Sequence, residues 1–185
     1  MPCRLEMWLA GRGRLPRRKK GESSPALATY QIRHTELLNT TKASMTATGW
    51  KLRVEAFIQV RGSSAIITGK PDLVGQKADY RPVVVDVKGG QKKESHIVQV
   101  QLYQKLVPLA WQSPSMQFNG IVRHSDESIR ITPEQAEAVW PKATVLVREL
   151  AGERPSAAPS PSACKYCRAR PEDCSERVSG TDQPI

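Results

Sequence analysis

The segment Pro82-Val83-Val84-Val85-Asp86-Val87-Lys88-Gly89-Gly90 constrains the fold of this chain more than any other. A run of β-branched residues closed by glycines is the pattern of a short strand covered on both faces, so it predicts a central strand. Within it stand an acid and a lysine. The strand period of two puts Asp86 and Lys88 on one face and Val87, as core, on the other. A charge in such a strand is costly unless it is paired or bound to a metal, which marks the pair as a candidate functional centre.

The flanking segments supply the rest of an α/β layer structure. Leu27, Tyr30, Leu37, Leu38 and Met45 fit helical spacing over 25–48. The stretch 52–60 predicts a strand, Arg61-Gly62-Ser63-Ser64 a turn and 65–69 a returning strand, hence a hairpin. Ile97, Val98, Leu102, Leu106 and Leu109 predict a crossover helix over 94–111, followed by strands at 118–122 and 128–131. Thr132-Pro133-Glu134 reads as a helix start, with Thr132 as N-cap and Pro133 as the first helical residue; the helix should reach about Leu150 with a kink at Pro141. This order predicts a mixed central sheet flanked by helices. Composition divides the chain into an N-terminal cysteine-bearing basic segment (1–25), a core (26–152) and a linker with a C-terminal cysteine segment (153–185).

The 185 residues carry a net charge of +10, with 28 basic against 18 acidic side chains. That balance favours a polyanionic partner. Half of the excess lies in the first 25 residues, where Arg17, Arg18, Lys19 and Lys20 form a run suited to phosphate contacts. No apolar stretch is long enough for a membrane helix and no secretory leader is evident, so a soluble cytoplasmic protein is expected. Cys164-x-x-Cys167 is followed by Cys174, with Cys3 as a distant fourth. Reduced thiols at that spacing read as metal or cluster ligands, and spacing alone permits structural zinc or iron-sulfur.

A second acid belongs with Asp86 and Lys88. Gly69-Lys70-Pro71-Asp72 is expected to close one strand as Asp86-Val87-Lys88 closes the next. Adjacent strands would then bring two carboxylates and an ammonium to one sheet end. Hard cations such as Mg²⁺ or Mn²⁺ take carboxylate and carbonyl oxygens, activate water and stabilise charge on a scissile phosphate, and a lysine can orient that water. Glu55 is a reserve ligand.

Pro71-Asp72 with Asp86-x-Lys88 resembles the PD-(D/E)XK nuclease superfamily over roughly residues 26–125. Gln99-Val100-Gln101-Leu102-Tyr103 is similar to the QxxxY motif of its RecB-like branch, which implies that Gln99 and Tyr103 position DNA and the active site. His34, on the helix before the hairpin, matches a further metal ligand of that branch, and the resemblance implies a ligand set of His34, Asp72, Asp86 and the Val87 carbonyl. Cys3 in Pro2-Cys3-Arg4-Leu5-Glu6-Met7-Trp8-Leu9, together with Cys164, Cys167 and Cys174, resembles the iron-sulfur RecB-like exonucleases. Among these are the CRISPR-associated Cas family numbered four and the longer helicase-nuclease subunit AddB. The resemblance implies a 4Fe-4S cluster stapling the chain ends. It also implies an exonuclease that trims single-stranded DNA or overhangs of prespacers beside the CRISPR integrase, in antiviral defence. Three alternatives stay open: a phage or repair exonuclease of the same branch, a noncatalytic cluster-containing DNA-binding module, and a zinc-stapled adaptor.

Overall fold

A computed structural model describes residues 3–15, 25–157, 164, 167–176 and 178. The elements in chain order are α1 (Arg4–Gly11), α2 (Pro25–Ala47), β1 (Lys51–Val54), β2 (Ile58–Arg61), β3 (Ile66–Gly69), β4 (Leu73–Lys77), β5 (Tyr80–Val87), α3 (Glu94–Ala110), β6 (Asn119–Arg123), β7 (Ser128–Ile131) and α4 (Pro133–Ala151), with a 3₁₀ turn at Pro171–Asp173. None of the described helices is long and apolar enough to cross a membrane. The basic run Arg17 to Lys20 and the linker residues 158–163 lie outside the described residues. Two compact units result, one of 23–144 and one combining 1–22 with 145–185.

The larger unit is built on a five-stranded sheet of order β1-β4-β5-β6-β7, with β2 and β3 pairing separately. β5 is central, antiparallel to β4 and parallel to β6. A parallel pair needs a crossover, and α3 supplies it. Alternation along β5 then sorts its side chains. Val83 and Val85 pack with Leu73 against Leu38 and Met45 of α2. Val84 packs with Val74 against Tyr103, Leu106 and Val107 of α3. By the same period, Asp86 and Lys88 belong to the α3 face.

Two strand expectations need correction. The strand foreseen over 52–60 is two strands, because Glu55 takes a left-handed φ of 48° and turns the chain from β1, which pairs with β4, to β2, which pairs with β3. Its N–H donates to the Asp72 carbonyl at 2.8 Å, which fixes the break. β4 was not foreseen, so Asp72 opens a strand rather than closing one. The register Leu73 to Val85 still leaves Asp72 beside the Asp86 end of β5. α2, α3, β6, β7 and α4 fall where the sequence places them, whereas no periodicity announced α1. The N-terminus of α4 carries a reciprocal cap, with Gln135 N–H donating to Thr132 Oγ1 at 3.4 Å and Thr132 N–H to Gln135 Oε1 at 2.8 Å. α4 continues through Pro141.

In the smaller unit, α1 is too short to be stable alone. Its Leu5, Trp8 and Leu9, spaced along one face, bury against Leu15 and Ala169. Trp8 Nε1 donates to the Gly152 carbonyl at 3.2 Å, and the Arg12 guanidinium donates to the Leu150 and Gly152 carbonyls at 2.9 Å each. These bonds satisfy carbonyls that the C-terminus of α4 leaves open.

The assignment of faces on β5 is testable by truncation. Val84→Ala should lower unfolding free energy by about 2 kcal/mol, since it removes two buried carbons and leaves a void. Val54→Ala, on the exposed side of β1, should stay within about 0.5 kcal/mol. Urea denaturation followed by circular dichroism measures both.

Candidate active site

β5 ends where the sheet meets the first turn of α3 and the middle of α2, and the sequence-selected residues converge there. Asp86 is 2 % exposed and its Oδ2 lies 2.5 Å from Lys88 Nζ. Lys88 Nζ also donates to Gln99 Oε1 at 2.9 Å, and Gln99 Nε2 donates to Tyr103 Oη at 3.1 Å. Gln99 and Tyr103 sit one turn apart on α3, which is why both reach the same strand end. The lysine is therefore oriented from two sides, by an acid on its own strand and an amide on the crossover helix. An ammonium has three N–H donors, and among the described residues only these two partners engage it.

Asp72 forms the second limb. Its Oδ2 accepts the Val87 backbone N–H at 2.6 Å and lies 3.3 Å from His34 Nε2. His34 reaches this point because Gly89 follows Lys88. A Cβ at Gly89 would come within 2.9 Å of the His34 backbone nitrogen and 3.0 Å of the Tyr30 carbonyl, so only glycine lets α2 approach the strand end so closely. Tyr30 stacks near the His34 ring, with centroids 6.1 Å apart.

Electrostatics separates the two acids. Burial pushes the Asp86 carboxyl above the usual carboxylate range, with Lys88 pulling it back down and the charge of Asp72 adding to the rise. The contact with Lys88 lacks hydrogen-bond alignment, so Asp86 Oδ2 remains a buried acceptor without a hydrogen bond. That oxygen faces the Lys88 ammonium, so a metal ion held by Asp86 would share the carboxylate with the lysine. Among the described residues no group of three or more histidine, cysteine or acidic side chains closes into a metal-binding set. Mg²⁺ does not need one, since it is commonly held by one or two carboxylates and completed by water and substrate phosphate. The donors present therefore fit a hard divalent cation at Asp72 and Asp86.

Glu55 points elsewhere. Its carboxylate pairs with Lys70 at 2.7 Å, and that contact holds it below the usual range. Two histidines that the sequence left unassigned stand close to the site. The His96 and His124 rings lie 5.8 Å apart, His124 is buried, and His96 Nδ1 and His124 Nε2 are buried without hydrogen bonds. Burial lowers the His96 pKa, helped by the positive charge of Lys88. No periodicity marks these residues, because they come from a helix start and a strand end that only the fold brings together.

The cysteines belong to the smaller unit. Cys3 is buried in its core, with Cys167 and Cys174 packed against the same cluster, and Cys164 is also buried.

The sequence profile of the PD-(D/E)XK nuclease superfamily matches residues 11–171. Among solved structures the chain is similar to the protein SSO0001, at 16% identity and a TM-score of 0.49, over 84% of this chain and 73% of that one. It is also similar to a candidate exonuclease from Eubacterium rectale, at 14% identity and a TM-score of 0.47, over 97% of this chain and 74% of the other. No curated protein matches it.

The raised Asp86 pKa has a stability consequence whose sign is fixed by linkage. A carboxyl that titrates higher when folded binds its proton more tightly in the native state. The metal-free protein should therefore lose stability from this group as pH rises through the carboxylate range toward the folded pKa. Asp86→Asn removes that titration. Urea midpoints in EDTA should show wild type losing ground to the variant between acid and neutral pH; a difference constant with pH would contradict the raised value.

Proposed function

Because the chain belongs to the PD-(D/E)XK nuclease superfamily, we propose that it is a metal-dependent DNA nuclease whose reaction centre is Asp72, Asp86 and Lys88, supported by His34, Gln99 and Tyr103. The observation that carries this reading is the Asp86–Lys88 ion pair continued by hydrogen bonds through Gln99 to Tyr103, set beside Asp72 at one sheet end. Asp72 and Asp86 would hold Mg²⁺ or Mn²⁺, with the Val87 carbonyl as a further oxygen. The cation, when bound, supplies Lewis-acid stabilisation and acidifies water. His34 orients Asp72 through their contact and keeps its lone pairs directed, or joins it as a ligand. Lys88, held by Asp86 and Gln99, offers its remaining N–H to the attacking water or to a phosphate oxygen as negative charge grows there. Tyr103, anchored by Gln99, keeps its hydroxyl proton for a DNA phosphate.

The finer assignment follows the motif pattern. The QxxxY pair and the four cysteines support an exonuclease of single-stranded DNA or overhangs, acting in CRISPR adaptation beside the integrase. In the smaller unit, packing of Cys3, Cys167 and Cys174 around one core supports a staple of N- and C-terminal segments. Four thiolates there suit a 4Fe-4S cluster. Residues 1–25 then act with 153–185 as a cluster module beside the nuclease core of 26–152, with Arg17 to Lys20 as DNA contacts.

Lys88→Ala should cut Mn²⁺-dependent cleavage of end-labelled single-stranded DNA by about 10²–10³-fold while binding in EDTA persists; undiminished cleavage would overturn the reading. Added Mn²⁺ should raise the wild-type melting temperature through linkage, and Asp86→Asn should lose that rise.

Protein purified without oxygen should be brown and contain iron and acid-labile sulfide. Cys167→Ser should lose iron and thermal stability together. Colourless wild type containing zinc, or a serine variant of unchanged stability, would refute the iron-sulfur staple.

A further inference from the structure

We propose that the α2 face of the sheet carries a track for a single strand of DNA leading to the strand end where Lys88 lies. The inference rests on the nuclease reading and adds how its substrate is held. A cavity of about 780 Å³ lies between α2 and strands β5 to β7. Its apolar floor is the half-buried Met45, Trp50 and Ile121, laid over the buried Val83 and Val85, and three strands each place an arginine at it: Arg81, Arg123 and Arg130. The register explains the convergence. Ile121 faces both Val85 and Arg130, and Arg123 faces Val87, so alternate positions of three strands share one face.

No acid among the described lining residues offsets this charge. The lining holds three arginines and no aspartate or glutamate. The guanidinium groups of Arg81 and Arg130 make no hydrogen bond or ion pair with any described residue, although Glu134 outside the lining senses the charge of Arg81. Arg123 donates to Ser128 Oγ at 2.9 Å. An arginine rim over an apolar floor, without acids, matches a strand that offers phosphates on one side and bases on the other.

Both ends of the groove support that occupant. At one end the Arg123 carbonyl accepts the Lys88 backbone N–H at 2.9 Å, so the track ends at the backbone of the candidate catalytic lysine, and a strand in it must round the end of β5 to meet the ammonium on the α3 side. At the other stand Trp50 and Tyr80, rings 6.1 Å apart, with Tyr80 60% exposed and the Lys77 ammonium 4.5 Å from its ring centroid, an aromatic and basic pair suited to a nucleotide. Along β5 from Arg81 to Lys88 the distance is about 20 Å, room for roughly six stacked nucleotides. A space of this size takes one strand and not a duplex.

The test uses the full chain in EDTA with a fluorescent oligothymidine of about thirty nucleotides, and the variant Arg81→Ala/Arg130→Ala. Both arginines are exposed, so the fold should tolerate their loss. Affinity should fall about tenfold or more, and the slope of log affinity against log salt should shrink by about 1.4, from about 0.7 per phosphate contact on a single strand. Arg81→Lys/Arg130→Lys should recover most of the slope, since lysine still meets phosphate as a point charge. With Mn²⁺ present, the preference of wild type for the long oligonucleotide over a trinucleotide should narrow in the alanine variant, through KM. If wild type binds and cuts while the alanine variant matches it in affinity and slope, the track is refuted and the nuclease reading stands. If wild type in EDTA does not bind DNA, and Mn²⁺ elicits no cleavage, both fail. Polyglutamate of equal charge competing as well as the oligonucleotide would overturn the assignment in favour of an acidic protein segment.

Discussion

The pairing of Asp86 with Lys88 inside an otherwise apolar strand is the constraint on which the surrounding structure depends. Replacing a buried ion pair by apolar side chains is often neutral or stabilising, so stability alone does not account for a charged pair at this place. Its neighbours are arranged accordingly. Gln99 must face the lysine from α3 to give it a second acceptor, which fixes where the crossover helix begins. Gly89 must lack a side chain so that α2 can bring His34 to Asp72. Asp72 must reach the Val87 N–H, which sets the start of β4 against the end of β5. The parts of the site are thus mutually determined.

The smaller unit faces a different problem. Its described core is Cys3, Leu5, Trp8, Leu9, Leu15 and Ala169. So small a core buries little apolar surface, and units of this size usually need a disulfide, a metal or a partner to hold. Hydrogen bonds from Trp8 and Arg12 to the end of α4 add modest net energy. Cysteines at this core are where a metal staple would contribute most, because it would join segments far apart in sequence.

Much of this was legible in the chain itself, and the exceptions have physical causes. Helical periodicity marked α2 and α3, the Thr132-Pro133-Glu134 start marked α4, and the valine run marked β5. Strand β4 escaped notice because Leu73-Val74-Gly75-Gln76-Lys77 follows Lys70-Pro71-Asp72 and has a glycine at its centre; it is a strand only through its pairing with β1 and β5. The break at Glu55 was hidden because the residue reads as part of an alternating strand, while its left-handed backbone is stabilised by a hydrogen bond to Asp72, remote in sequence. The acid-x-lysine pattern and QxxxY spacing pointed to the side chains that meet at the strand end. His96, His124 and the three groove arginines carry no local pattern, since they come from α3 and three strands that only the fold brings together.

That register also explains how one strand serves two tasks. Val84, Asp86 and Lys88 address α3, where burial gives the ion pair a low-dielectric setting and strengthens each contact. Arg81, Val83 and Val85 address the α2 face, where the cavity is open and arginines remain solvated. The period of two keeps the tasks apart, so that charges meant for a phosphate backbone do not enter the buried pair's surroundings. A slip of β5 by one residue would exchange the faces, placing Asp86 among the arginines and Val87 opposite Gln99. The valines on both faces, packed against two different helices, are what prevent that slip. The β-branched run that marked this segment as a central strand is therefore also the device that holds its chemistry in register.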